Sequence, residues 1–129
     1  MSAPLIRVVL TRGTQGDCTI CALGTYLSLT YEDVLAAAAR LAKKAHREGM
    51  WTSQIISTAK RLGVKLIRKR TWKMDEAHGI LTLTSQSDEY DHVVVLHDGL
   101  VFDSDGAVWE PYDYFACEQY KPTLLLTRG

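Results

Sequence analysis

The chain has 129 residues, with 15 Lys and Arg balanced by 15 Asp and Glu. It is long enough for one domain with a core of its own, and no net field draws it toward nucleic acid or an anionic membrane. Three cysteines are an odd count, no apolar run approaches the roughly 20 residues of a membrane span, and MSAPLIRVVL is not a charged n-region followed by a long apolar stretch. The expectation is a cytoplasmic protein with reduced thiols and no disulfide framework.

Leu5 to Leu10 is apolar and β-branched, a candidate strand leading into the turn Thr11-Arg12-Gly13-Thr14. Gln15-Gly16-Asp17-Cys18-Thr19-Ile20-Cys21-Ala22-Leu23 then runs from a turn into a helical pattern over Cys18 to Ser28. Asp17 reads as its N-cap. Ile20, Leu23 and Leu27 share one face, with Cys18, Cys21, Ala22 and Thr25 on an adjoining stripe. Thr30-Tyr31-Glu32-Asp33 is a capping-box variant opening a second helix, Tyr31 to about Glu48, with Val34, Leu35, Ala38 and Leu41 inward and Gly49 as its stop. A third helix, capped by Thr52 or Ser53, turns Ile55, Ile56, Ala59 and Leu62 to the core and ends at Gly63.

From there the period falls to two. Val64–Arg70, Gly79–Thr84, His92–Leu96, Leu100–Asp103 and Thr123–Thr127 read as strands. Helices followed by strands make the class α+β, with residues 1–129 as a single domain. Asp98-Gly99 is the preferred two-residue hairpin turn, which pairs His97 with Leu100, Val94 with Asp103 and His92 with Asp105. Asp105 then lies opposite His92 and Asp103 on the diagonal, each within reach of the imidazole.

The chemistry centres on Cys18. At the first position of a helix, free amides and the positive end of the dipole lower a thiol's pKa from about 8.5, and only the thiolate attacks carbonyl carbon. A base must take and return the proton, and an acceptor must fix the base's tautomer. His92 and Asp103 can fill those roles, with Asp105 as the alternative acid.

QGDCTICALGTYLSLTYEDVLAAAAR resembles the N-terminal motif of small papain-like cysteine peptidases of the C39 type, including compact bacterial and bacteriophage relatives, matched by Asp17-Cys18, Ala22-Leu23 and Tyr31-Glu32-Asp33-Val34. The family's His hairpin is matched by His92-Val93-Val94-Val95-Leu96, Gly99 and Asp103. The resemblance implies a papain-like fold, N-terminal helices packed on a C-terminal antiparallel sheet, and a thiol hydrolase with a Cys-His-Asp triad. Two departures stand out: Thr19 replaces the family's Gly after the nucleophile, and Arg12 replaces its oxyanion-hole Gln six residues before it. Gln15 is six residues before Cys21, so a second register has Cys21 as nucleophile. The cap at Asp17 and the spacing to Tyr31 favour Cys18, and Gln15 is a candidate oxyanion donor in either register.

Other patterns fit less well. Cys18-Thr19-Ile20-Cys21 is a CxxC, but zinc wants a second tight ligand pair, and a thioredoxin-like site wants a βαβ setting. Arg68-Lys69-Arg70 with Trp72 reads as a solvated strand end, and Trp109, Tyr112, Tyr114 and Phe115 near Cys117 as an aromatic stretch covering a hairpin or walling a cleft. The combined expectation is a hydrolase or other acyl-transfer enzyme acting on a peptide or protein substrate at a peptide, isopeptide or glutamine amide bond. It needs no cofactor or metal and engages neither nucleic acid nor membrane. The competing expectation is a catalytically inactive papain-like fold serving as a protein-binding module.

Overall fold

A computed structural model describes residues 6–13, 16–85 and 91–129. Its order is α1 (Cys18–Leu27), α2 (Tyr31–Ala38), α3 (Ala45–Glu48), α4 (Thr52–Arg61), β1 (Leu66–Lys69), β2 (Gly79–Ser85), β3 (Asp91–His97), β4 (Leu100–Phe102), β5 (Val108–Trp109), α5 (Pro111–Glu118) and β6 (Tyr120–Arg128). The strands form one antiparallel sheet in the order β1-β6-β2-β3-β4-β5, so the last strand inserts between β1 and β2. The class is therefore α+β.

Helix α1 is buried on every side from Thr19 to Leu27, which explains why it is apolar nearly all round rather than along one stripe. Its small residues admit close neighbours: a Cβ on Gly24 would lie 2.8 Å from Val9 Cγ2. That contact also explains why the expected N-terminal strand does not form over the described residues 6–10. Val9 N–H donates to Thr25 Oγ1 at 2.9 Å and Thr11 N–H to Ser104 O at 2.8 Å, so the segment is tied to a side chain and a turn instead of a strand.

The second helix is shorter than its sequence pattern. Thr30 Oγ1 accepts Asp33 N–H at 3.1 Å as the capping box predicts, but α2 ends at Ala38 and the chain turns before α3. An alanine run carries helix propensity but little apolar area, and packing is what sustains a long helix. The break buries Ala45 and leaves Leu41 40% exposed. Helix α4 begins after Trp51, whose N–H is accepted by Gln54 Oε1 at 2.9 Å, and closes at Gly63 with φ 88°.

Alternation along the strands serves two cores. Ile80, Val93, Val95 and Leu126 face Ile20, Leu23, Val34 and Ile55 of the helices. Leu81, Leu83, Val94, Leu96 and Leu125 face the other way, beneath Trp72, Met74 and Tyr114. Covering both faces is why GILTLT, HVVVL and TLLLT are almost continuously apolar. No helix among the described residues is long and apolar enough to cross a membrane.

Candidate active site

The site is assembled at the start of α1 and the free end of the β3–β4 hairpin. Asp98 and Gly99 both have positive φ, 50° and 74°, as the two-residue turn requires, and the ladder runs from His97↔Leu100 to Val95↔Phe102. There it stops. Asp103 N–H turns to Ala107 O and Gly106 N–H to Asp103 O, both at 3.0 Å. β3 thus continues past the end of β4 as far as His92, and Asp103 stands one residue beyond β4, close to that imidazole.

His92 Nε2 lies 3.1 Å from Asp103 Oδ1, with both side chains largely buried. Cys18, at the helix side, lies near enough to the same imidazole to favour its charged form. The structure thus brings Cys18, His92 and Asp103 together from two separate halves of the chain. Asp105 does not join them: its Oδ1 accepts Ala107 N–H at 2.8 Å within its own exposed turn, which the hairpin register alone could not reveal. Gln15 lies outside the described residues.

Burial opposes a charge on His92, but the hydrogen bonds and charges of Asp103 and Cys18 outweigh it and raise the imidazole to about 10. Burial likewise opposes ionisation of Asp103, yet His92, then Tyr114 and the Ser104 amide, hold it below the ordinary carboxylate range. At neutral pH the pair is an imidazolium beside a carboxylate. Cys21 differs: it is 1% exposed, and burial, aided by the charges of Asp17 and Cys18, pushes its thiol up to about 12. Only Cys18 of the two combines access with a base.

Asp17 occupies the N-cap position without capping. Its side chain accepts no amide of α1; at 2% exposed it instead accepts Thr11 Oγ1 at 2.6 Å, Arg12 N–H at 3.0 Å and Tyr31 Oη–H at 3.2 Å. It anchors the preceding loop, and the first-turn amides beside Cys18 receive no cap from it. Arg12 pairs with Glu32 and lies 4.0 Å over the Tyr31 ring. Thr19 is buried, and its Oγ1 has no hydrogen-bond partner among the described residues.

Tyr114, expected only as part of an aromatic stretch covering a hairpin or walling a cleft, reaches the site, and so does Tyr120, for which the sequence offered no role. Tyr114 Oη donates to Asp103 Oδ2 at 2.8 Å, and Tyr120 stacks on the His92 ring at 5.4 Å and 19°. A signal for α5 existed in Glu110-Pro111, a proline at a helix's first position, but nothing local connects Tyr114 with Asp103. The space enclosed between Cys18, Cys21, Val93, Phe102 and Ser104 is only ≈ 10 Å³, about one water. Cys18 is therefore reached from its solvent side rather than through an interior cavity. Among the described residues no three His, Cys, Asp or Glu side chains gather to hold a metal ion. The chain matches no protein-family model and no curated protein sequence.

Proposed function

We propose that the chain is a cysteine-dependent acyl-transfer hydrolase of papain-like fold, related to C39-type peptidases, that acts on a peptide, isopeptide or amide bond. One observation carries the reading: a thiol at a helix start lies beside an imidazole that is hydrogen-bonded at 3.1 Å to a largely buried carboxylate. The motif resemblance around Asp17-Cys18 and the His92 hairpin supports it independently.

In this mechanism the Cys18 thiolate attacks the carbonyl carbon while the first-turn amides of α1 receive the developing oxyanion, with Gln15 as a further donor. The His92 imidazolium gives its proton to the leaving amine, and a thioester remains on Cys18. Neutral His92 then takes a proton from water as the oxygen attacks the thioester; the acid departs and the thiolate–imidazolium pair is restored. Asp103 holds Nε2 and favours the charged ring throughout.

The test is iodoacetamide labelling at pH 6, mapped by mass spectrometry, on wild type and His92→Ala. Cys18 is expected to label before the exposed Cys117, with Cys21 labelling only after unfolding. His92→Ala should slow Cys18 by roughly tenfold or more, the loss expected for one charge-assisted hydrogen bond. If Cys18 reacts no faster than Cys117, or His92→Ala leaves it unchanged, the catalytic reading is replaced by that of a non-catalytic protein-binding module.

A further inference from the structure

Tyr114 is placed to do more than fill the far side of the sheet. It is 1% exposed, and its ring packs against Trp109, Phe115 and Tyr120 at centroid distances of 5.7, 6.2 and 5.8 Å. A phenylalanine would satisfy that packing. A buried hydroxyl is unfavourable unless bonded, and this one donates to the acid that bonds His92. The two carboxylate oxygens divide the work: Oδ2 takes Tyr114, and Oδ1 takes both His92 Nε2 and, at 2.7 Å, Ser104 N–H. An aspartate's terminal torsion is broad and roughly two-fold, so rotamer preference alone does not hold Oδ1 toward the imidazole. A second tether does.

We propose that Tyr114 is a positioning residue: its hydroxyl pins the Asp103 carboxylate in the orientation that presents Oδ1 to His92, and it acts on Cys18 only through those two groups. The inference rests on the reading of Cys18 as nucleophile. Burial and the neighbouring Asp103 raise the phenol above its ordinary value, so it remains a donor across the pH range in which the site would work. Tyr120 completes the clamp by lying flat on the imidazole that Asp103 holds.

The test is a cycle of Tyr114→Phe, Asp103→Ala and the double variant, reading the Cys18 alkylation rate at pH 6, the ¹⁵N signals of the His92 ring and the melting temperature. Tyr114→Phe should slow Cys18 roughly tenfold, and on raising the pH the His92 signals should pass from imidazolium to neutral earlier than in wild type, as expected when a hydrogen-bonded charged acceptor loses its orientation. In the Asp103→Ala background it should slow Cys18 no further, because the route through the acid is gone. Wild-type reactivity in a folded Tyr114→Phe, or the same slowing in both backgrounds, overturns the proposal. If either single variant does not fold, Asp103→Asn and 3-fluorotyrosine at position 114 take their places; a rate change on fluorination that vanishes with Asp103→Asn supports the coupling, and one that persists or never occurs overturns it. Failure of the catalytic reading is separate: there, Asp103→Ala itself leaves Cys18 as reactive as before.

Discussion

Replacing Asp17 with serine separates two physical roles that the sequence alone conflates. As an N-cap, serine is about as good as aspartate, so Asp17→Ser would change stability by only a few tenths of a kcal/mol. In the structure Asp17 caps nothing; its buried carboxylate accepts a hydroxyl from Thr11, an amide from Arg12 and a phenol from Tyr31. Hydrogen bonds to a charged group contribute about 1.5–3 kcal/mol each, and a serine hydroxyl cannot reach all three donors. Allowing for non-additivity, the loss should be ~3–5 kcal/mol. At about 4 °C per kcal/mol for a domain of this size, the melting temperature should fall by ~12–20 °C. Urea unfolding followed by circular dichroism gives the free energy directly, with an unchanged m-value showing that the two-state comparison holds. A loss below about 1 kcal/mol would refute the anchor and restore the cap.

Two further outcomes follow from the same geometry. Because His92 is raised from 6.5 to about 10, its pairing contributes fully below pH 6.5 and is lost as pH climbs toward 10; Asp103, held below 3.8, contributes above that value and loses its part on acidification. The stability gap between wild type and His92→Gln, measured by urea unfolding, should therefore be widest between pH 4 and 6.5 and narrow by pH 9.5, and a gap that widens would contradict the pairing. Gly16→Ala should destabilise by roughly 3 kcal/mol or more, since φ is +99° and the new Cβ would sit 2.3 Å from Arg47 O, whereas Gly13→Ala meets nothing within 4 Å and should lose only about 1 kcal/mol of backbone strain. Equal melting temperatures for the two variants would refute that contrast.

Legibility followed the range of the interaction. The Asp98-Gly99 turn is a local instruction: two adjacent positive-φ residues set the register, and the register carries Asp103 to His92 at the far end of the hairpin from the turn. The start of α1 was equally local, although its reason was not. Aspartate before a helix is a cap by default, and only the distant Thr11 and Tyr31 reveal that its carboxylate faces the other way. The second helix is shorter than its pattern because alanine propensity is visible in sequence while the packing that ends α2 at Ala38 is not. β5 has two residues, too few for any period, and α5 mixes Pro111, Tyr112, Asp113 and Tyr114 without a clear apolar stripe.

The same distinction explains what joins the site. β3 and β4 part company at Val95↔Phe102, three residues short of His92, and that mismatch in strand length leaves an edge of β3 open to the helix layer. Into it comes the first residue of α1, a helix so thoroughly buried that its N-terminus has little freedom to move. From the opposite face α5 delivers Tyr114 to the other oxygen of Asp103. The site thus draws on three separate layers, helices, sheet and α5, and of its contacts only that between Asp103 and His92 is set by a nearby turn. A site built this way depends on the whole sheet being folded: reactivity at Cys18 should disappear together with the cooperative unfolding transition rather than in a separate step before it.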